Sequence, residues 1–285
     1  MALLTFFGGA MASLFQRLKT KSTSQKPGLP HHEAREGSGF QLLLLGVFIL
    51  HILTMNEAAN LSAFNVINGL STSVPAWLQA TVTEMGNGVT LGAVILCYLV
   101  YRPELAGRVI AATILSLIAV PLLKQYFDAP RPAAVLEYLN IIGDIRMERS
   151  LPSGHASTIF LLVGLIFLST QKCWLKLSVI ALGTIVAASR IMVGAHWPED
   201  VVLGAFVGLL CAYGAVNMVP LISMTDSVRS KVYIGLFAVI AFSEFKNGDD
   251  YPQFWQVQSV RWGIILLAAV LIGRYLLSQR QKLEV

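Results

Sequence analysis

The stretch WLKLSVIALGTIVAASRIMVGAHWPEDVVLGAFVGLLCAYGAVNMV, residues 174–219, contains two apolar runs joined by a short polar turn. The runs, 174–190 and 199–219, are each close to the about 20 apolar residues that a helix needs to cross a bilayer. Six more runs of this character stand at 40–56, 86–102, 106–124, 155–171, 231–244 and 260–278. The sequence therefore predicts an all-α fold, a polytopic membrane helix bundle of about eight transmembrane helices.

The composition excludes an ordinary soluble domain. Of the 285 residues, 55% are hydrophobic and 13% are charged, and the mean hydropathy is +0.66. Soluble domains carry about 25% charged residues. In such a chain the net charge of +5 is first interpreted as a signal of membrane topology, and no nucleic-acid partner is predicted.

The distribution of basic residues predicts the orientation of the bundle, because Lys and Arg gather in cytoplasmic loops. With the N-terminus inside, 14 of the 21 Lys and Arg residues fall on the inner side. Both termini are therefore predicted to be cytoplasmic, in a cell inner membrane. The longer loops, 57–85, 125–154 and 245–259, then face outward.

Three parts of the chain are expected. Residues 1–38 are predicted to be a cytoplasmic leader with a possible interfacial helix, and residues 17–38 within it are polar and basic. No cleavable signal peptide is predicted, because no basic region precedes the opening apolar run. Residues 39–219 hold a core of six helices, and residues 220–285 add a two-helix hairpin and a cytoplasmic tail. The three cysteines show no metal or redox spacing, so no disulfide is expected.

Small residues predict one close helix contact within the core. Gly204, Gly208 and Ala212 recur at every fourth position of the run 199–219 and so share one face of its helix. Small side chains let two helix backbones approach closely inside a membrane.

Three polar clusters interrupt the apolar pattern, and the predicted topology puts all of them on the outer side. In the first, Lys124 and Arg131 stand at the end of the third run, where Pro130 and Pro132 stop the helix. Arg offers a planar two-pronged fork to a phosphate, and Lys offers a point charge. The alternative is a pair of interface cations that reach outward to the headgroups.

The second cluster, Pro152-Ser153-Gly154-His155, opens the fourth run. Ser153 is a good N-cap, and the free N–H groups at a helix start bind anions. Gly154 lets a ligand approach the backbone, and His155 is within reach of it. A capped helix with an interfacial histidine is the alternative.

The third cluster lies between the runs quoted above. Ser189 and Arg190 end one helix, and Pro198 and the acidic residues after it mark the start of the next. A carboxylate at Asp200 can bind one imidazole nitrogen of His196 and leave the other nitrogen free as a base or nucleophile. An ion pair that pins the helix end is the alternative.

Together the clusters resemble the signature of the type 2 phosphatidic acid phosphatase (PAP2) superfamily. That signature is Lys, six residues, Arg-Pro; then Pro-Ser-Gly-His; then Ser-Arg, five residues, His, three residues, Asp. With its order of helices, the resemblance covers roughly residues 40–219. The matching residues are Lys124, Arg131, Pro132, Pro152, Ser153, Gly154, His155, Ser189, Arg190, His196 and Asp200.

The resemblance implies a catalytic core at 39–219 and a mechanism. His196 would attack phosphorus to form a phosphohistidine, Asp200 would orient it, and His155 would protonate the leaving oxygen and then activate water. The phosphoryl oxygens would be held by the remaining polar groups of the signature: Lys124, Arg131, Ser153, the amide of Gly154, and Arg190. The resemblance implies no metal and no cofactor.

The implied function is a membrane lipid phosphatase with its active site on the outer, periplasmic side. Polyprenyl diphosphate, phosphatidylglycerol phosphate, phosphatidate and a glycolipid phosphate are all open as substrates, and membrane lipids are the expected partners. The oligomeric state is open. Two alternatives remain: a lipid-to-lipid phosphotransferase that uses the same site, and a non-catalytic phospholipid carrier.

The extra hairpin at 220–285 departs from the six-helix family core. Its outer loop, residues 244–255, could border the site and alter the choice of substrate. Asp249 and Asp250 are expected to form only a solvated turn. Arg146, Glu148 and Arg149, just before the second cluster, are the stronger candidates for contacting a headgroup.

Overall fold

The computed structural model describes residues 38–246 and 250–283, and all regular elements in these ranges are helices. The predicted leader lies outside the described residues except for Ser38. The all-α fold is confirmed. The helices are α1 Ser38–Thr54, α2 Glu57–Gly69, α3 Ala76–Glu84, α4 Gly88–Tyr101, α5 Ala106–Phe127, α6 Pro132–Val135, α7 Gly154–Ser169, α8 Cys173–Met192, α9 Pro198–Met218, α10 Asp226–Lys246 and α11 Trp255–Leu283.

Each of the eight predicted apolar runs is helical. Within the described residues, four spans are long and apolar enough to cross a membrane: Pro103–Val135, Cys173–Met192, Pro198–Met218 and Trp255–Gln281. The number rises to six if the bent pairs α1–α2 and α3–α4 each count as one span. The chain is a multi-pass membrane protein, and the figure of eight spans stays a prediction.

The region 57–85 is not the loop that the sequence predicts. It contains α2 and α3, and α2 turns by 102° relative to α1. The side chain of Asn56 accepts a hydrogen bond from the amide of Ala59 at 3.0 Å, which caps the start of α2. Both helices are short and less apolar than a membrane span, so the search for apolar runs missed them.

Helix α9 lies at the centre of the bundle and packs against α7, α5, α1 and α8. Its closest neighbour is α7. A Cβ atom on Gly208 would lie 2.8 Å from the amide nitrogen of Leu161, and one on Gly204 would lie 3.1 Å from the Cβ of Ala156. The predicted close packing through small residues is therefore confirmed, and it brings the start of α7 against the start of α9.

The predicted C-terminal hairpin consists of α10 and α11. Both helices pack against α4, and α11 also packs against α3. At one end, Arg229 donates to the carbonyl of Val100 at 2.8 Å, and Tyr233 donates to the carbonyl of Leu99 at 2.6 Å. Cys97, Cys173 and Cys211 are free thiols, as predicted.

Candidate active site

The three predicted clusters meet at one end of the bundle, where α5 and α8 end and α7 and α9 begin. The amide of Ser153 donates to the carbonyl of Asp200 at 2.8 Å, which joins the second and third clusters. The indole Nε1 of Trp197 donates to the carbonyl of Pro130 at 3.0 Å, which joins the third cluster to the first. Backbone contacts thus hold the clusters together before any ligand is considered.

His196 and Asp200 form a buried pair. The His196 Nδ1 lies 3.2 Å from the Asp200 Oδ2, and each residue is 2% exposed. His196 precedes α9, so helical spacing does not create the contact. Instead the Asp200 carboxylate turns back and accepts the amide of Trp197 at 2.8 Å, as an N-terminal capping residue does, and this places it beside His196.

Ser150 is a third member of this pair that the sequence analysis missed. It is fully buried, and its hydroxyl donates to the Asp200 Oδ2 and lies 3.4 Å from the His196 Nδ1. Three donors therefore converge on one carboxylate oxygen, which fixes its orientation. The only available signal was the position of Ser150, two residues before Pro152.

The second ring nitrogen of His196 faces a cation. Because Nδ1 donates to Asp200, Nε2 carries the lone pair, and it lies 3.4 Å from the Nη1 of Arg131. Arg131 is itself held, since it donates to the carbonyls of Glu148 and Ala195, each at 2.9 Å. A nucleophilic nitrogen thus stands next to a fixed guanidinium.

Burial lowers the pKa of His196 well below its usual value, and the charges of Arg131, Arg190 and Lys124, together with His155, lower it further. Both causes disfavour the imidazolium form. His196 is therefore neutral near neutral pH, the state in which Nε2 can attack. The charges of the three predicted cations therefore act on this ring.

Lys124 and Ser153 adopt the positions that the sequence predicts. The Lys124 ammonium reaches the carbonyls of Arg149 and Ser150, at 2.6 and 3.5 Å, and so crosses from α5 to the segment before the second cluster. Ser153 is the N-cap of α7 and accepts the amide of Ala156 at 3.5 Å. Gly154 is the first residue of α7, where helical N–H groups lack helical partners.

Arg190 is held by two side chains from outside the predicted clusters. Its Nη1 donates to the hydroxyls of Thr83 and Tyr251, both at 3.0 Å. Neither residue was a candidate in the sequence analysis. Thr83 lies at the end of α3, and Tyr251 lies between α10 and α11.

Two predicted site residues carry buried polar atoms without a hydrogen-bond partner. In the described part of the chain there are three such side-chain atoms, namely the Nε of Arg190, the Nε2 of His155 and the Nδ1 of His51. Buried polar groups are usually paired, so an unpaired one calls for a functional reason. A phosphate oxygen bound to the Nε of Arg190 and a leaving oxygen bound to the Nε2 of His155 would give both nitrogens a partner.

The turn between α3 and α4 borders His155. A Cβ atom on Gly86 would lie 3.0 Å from the Cβ of His155 and 3.2 Å from its Cδ2. A side chain at position 86 would press on the imidazole of His155. The turn that follows the predicted outer loop 57–85 therefore lines the site.

At the rim, the structure corrects the expectation for Asp250. Its carboxylate pairs with Arg146 at 2.8 Å and is not a solvated turn, and Asp249 lies outside the described residues. Arg149 is exposed and lies 3.9 Å from Asp128. The Arg146–Asp250 pair links the segment before the second cluster to the hairpin's outer loop, which was expected to border the site.

Among residues 38–246 and 250–283, no three His, Cys, Asp or Glu side chains converge in a way that could hold a metal ion. The absence of a cofactor stays a prediction.

The fold and the site define a class: a multi-pass helical membrane protein with a buried His–Asp pair among cations at one end of its bundle. Residues 105–223 match the model of the PAP2 superfamily. Every residue of the predicted signature lies inside the matched segment, whereas α1–α4, α10 and α11 lie outside it.

Several known proteins are similar to this chain. The chain is 28% identical over 161 residues to the putative undecaprenyl-diphosphatase YbjG of Escherichia coli (strain K12), covering 55% of this chain and 80% of that protein. It is 33% identical over 125 residues to the bacitracin transport permease protein BcrC of Bacillus licheniformis, covering 44% and 60%. The crystal structure of Aquifex aeolicus LpxE superposes with a TM-score of 0.50 at 28% identity, covering 57% and 97%. These similarities support a membrane lipid phosphatase of the PAP2 type.

Proposed function

We propose that this phosphatase hydrolyses a lipid phosphomonoester or diphosphate through a phosphohistidine on the Nε2 of His196. The observation that carries the proposal is the buried His196–Asp200 pair, whose free Nε2 lies 3.4 Å from the Arg131 guanidinium. A phosphoryl group bound by Arg131 would be within reach of that nitrogen.

In the first step, Nε2 attacks phosphorus, the bond between phosphorus and the lipid oxygen breaks, and the lipid leaves. The negative charge of the bound phosphate favours a protonated His155, which gives its proton to the leaving oxygen. Asp200 accepts the Nδ1–H of His196 and so stabilises the positive charge that the ring gains on becoming a phosphohistidine.

In the second step, water replaces the lipid. His155, now neutral, takes a proton from the water as its oxygen attacks phosphorus. The P–N bond breaks, inorganic phosphate leaves, and His196 regains its lone pair. His155 is protonated again, ready for the next turnover.

The cations act on the transferred group. Lys124, Arg131 and Arg190 balance the charge that spreads over the phosphoryl oxygens, and Ser153 and the amide of Gly154 donate to the same oxygens. Their positions are set beforehand by protein contacts, so little reorganisation is needed during the reaction.

We place the site on the outer face of the cytoplasmic membrane, with both termini inside. The distribution of Lys and Arg supports this orientation. A site at the ends of membrane helices can take a headgroup phosphate while the lipid tails stay in the bilayer. A polyprenyl diphosphate is the first substrate to test, since YbjG is named a putative undecaprenyl-diphosphatase; phosphatidylglycerol phosphate, phosphatidate and a glycolipid phosphate follow.

The test is phosphate release from these lipids by the detergent-purified chain in the presence of a chelator. The wild type should release phosphate, and His196→Ala should not. His51→Ala is the matched control, because it removes another histidine with an unpartnered buried nitrogen and should keep the activity. Brief reaction with a phosphorus-labelled lipid should leave acid-labile label on the wild type and on His51→Ala, and none on His196→Ala.

Release by His196→Ala at the wild-type rate would overturn the proposal. Release that depends on a second lipid would identify a phosphotransferase. Lipid binding without release or transfer would identify a carrier.

A further inference from the structure

The hairpin outside the family segment reaches into the site through one side chain. Tyr251 is 3% exposed, and its hydroxyl accepts the Nη1 of Arg190 at 3.0 Å. The two residues are 61 positions apart in the chain. A residue of the α10–α11 connection therefore contacts a proposed phosphate ligand on α8.

The ring of Tyr251 is held by several parts of the chain. It packs in a small apolar cluster with Ala80 of α3 and Val257 of α11, and Ile142 adjoins the cluster. Gly143 has φ of +96°, and a Cβ atom there would lie 2.6 Å from the Cε1 of Tyr251. A side chain at position 143 would be strained and would collide with the ring, so the backbone there is shaped around Tyr251.

The other acceptor of Arg190 is also tied to the hairpin. Thr83 is followed by Glu84, which is fully buried and receives two bonds from Arg261 of α11, each at 3.0 Å. Such a two-pronged pair fixes both partners geometrically. Through it, α11 anchors the end of α3, from which Thr83 reaches Arg190.

These contacts occupy one nitrogen of Arg190 and leave another for a ligand. Nη1 is bound by Thr83 and Tyr251, whereas Nε is buried without a partner. Since the guanidinium is planar, fixing Nη1 sets the direction of Nε.

We infer that the α10–α11 hairpin completes the phosphate-binding site, with Tyr251 as a positioning residue that directs Arg190 at the phosphoryl group. This inference rests on the proposed function. By this inference the hairpin is part of the catalytic unit, although the hairpin lies outside residues 105–223.

The test is Tyr251→Phe, which removes the hydroxyl and keeps the ring. We expect kcat/KM to fall about tenfold, and the inhibition constant of inorganic phosphate to rise by a similar factor, since a hydrogen bond to a charged group is lost. Tyr138→Phe is the matched control: Tyr138 is 93% exposed, and both constants should stay at their wild-type values. Thermal unfolding in detergent should be alike for the two variants.

A purely structural role would not depend on Arg190. In an Arg190→Lys background, Tyr251→Phe should therefore change kcat/KM by less than about twofold, because the two changes disrupt the same contact. A tenfold loss in that background would overturn the inference. Should Tyr251→Phe unfold, Thr83→Val removes the other acceptor at nearly equal volume and should raise the inhibition constant of phosphate in the same way; an unchanged constant would overturn the inference.

Arg190→Ala separates this inference from the proposed function. If Arg190→Ala is inactive while Tyr251→Phe behaves like the wild type, only the inference fails. If Arg190→Ala retains full activity, the proposed role of Arg190 in phosphate binding fails first.

Discussion

Two groups of buried charges lie near each other in this molecule, and they differ in balance. Between α3 and α11, Arg261 meets Glu84 through two bonds of 3.0 Å, and Glu244 lies 3.6 Å from the same guanidinium. Thr90 also donates to the Glu84 carboxylate. The charges of this pair are matched within the protein.

The site around His196 is not matched in this way. Lys124, Arg131 and Arg190 surround the ring, and Asp200 is the buried carboxylate that faces it. In a balanced buried pair, each charge has its partner within the folded chain. An excess of buried cations instead destabilises the fold until an anion binds. The first group therefore supports structure, whereas the second has the charge that binding of a phosphate requires.

The largest expected effect belongs to the carboxylate of the second group. Asp200→Asn keeps the shape but cannot hold the His196 Nδ1–H in the same way, so kcat should fall about 10⁴-fold, as when the orienting acid of a catalytic histidine is lost. Phosphate-release kinetics measure this. Glu199→Gln, one residue earlier in α9, is the control and should keep the wild-type rate. Equal rates for the two variants would show that Asp200 has no role in the reaction.

The balanced pair should affect stability instead. Arg261→Met leaves Glu84 buried without its cation, so the free energy of unfolding should fall by about 3–5 kcal/mol. The double variant Glu84→Leu, Arg261→Met should recover most of that loss, because two apolar side chains need no partner. Thermal unfolding in detergent decides the point. If the double variant is as unstable as Arg261→Met, the Glu84–Arg261 pair contributes to stability beyond the mutual neutralisation of its two charges.

Inorganic phosphate should distinguish the two groups directly. At a concentration of about 100 Kd, a ligand that binds only the folded state stabilises it by about 2.7 kcal/mol. The wild type should show this gain in thermal unfolding, and Arg190→Ala should lose much of it. The double variant Glu84→Leu, Arg261→Met should lose only a small part, because it alters the support of Thr83 and leaves Arg190 in place. A gain that Arg190→Ala retains in full would mean that phosphate binds elsewhere.

Much of the bundle could be predicted because apolar length is itself a physical requirement for crossing a bilayer. All eight runs became helices for that reason. The helices α2 and α3 were missed, although Asn56 at the start of α2 was a visible capping signal. Their helical state depends on packing against α8, and packing partners are not visible in one sequence.

The residues of the site could be predicted where chemistry is concentrated in the chain. Lys124, Arg131 and His196 stand out because charge and imidazole are rare among apolar residues. Ser150 and Tyr251 could not be found, since a serine before a proline and a tyrosine in a loop are common. Their contacts with Asp200 and Arg190 arise only when distant segments fold together.

The smallest expected effect is on the pH dependence, and it tests the excess of cations itself. Burial, and then the charges of Arg131, Arg190 and Lys124, lower the pKa of His196 below the usual 6.5. Protonated His196 has no lone pair on Nε2, so kcat/KM falls as the pH drops through this lowered pKa. Removing a positive charge raises the pKa, and the acid limb of the profile should move to higher pH.

Arg131→Gln should therefore shift the acid limb further than Lys124→Gln, because the charge of Arg131 contributes more to lowering the pKa of His196. Arg274→Gln removes the same charge from an exposed position on α11 and should leave the limb in place. The measurement is kcat/KM against pH for the residual activity of each variant. An acid limb that stays fixed in both site variants would mean that these cations do not set the charge state of His196. The only remaining difference between the two charge groups would then be the positions of their side chains.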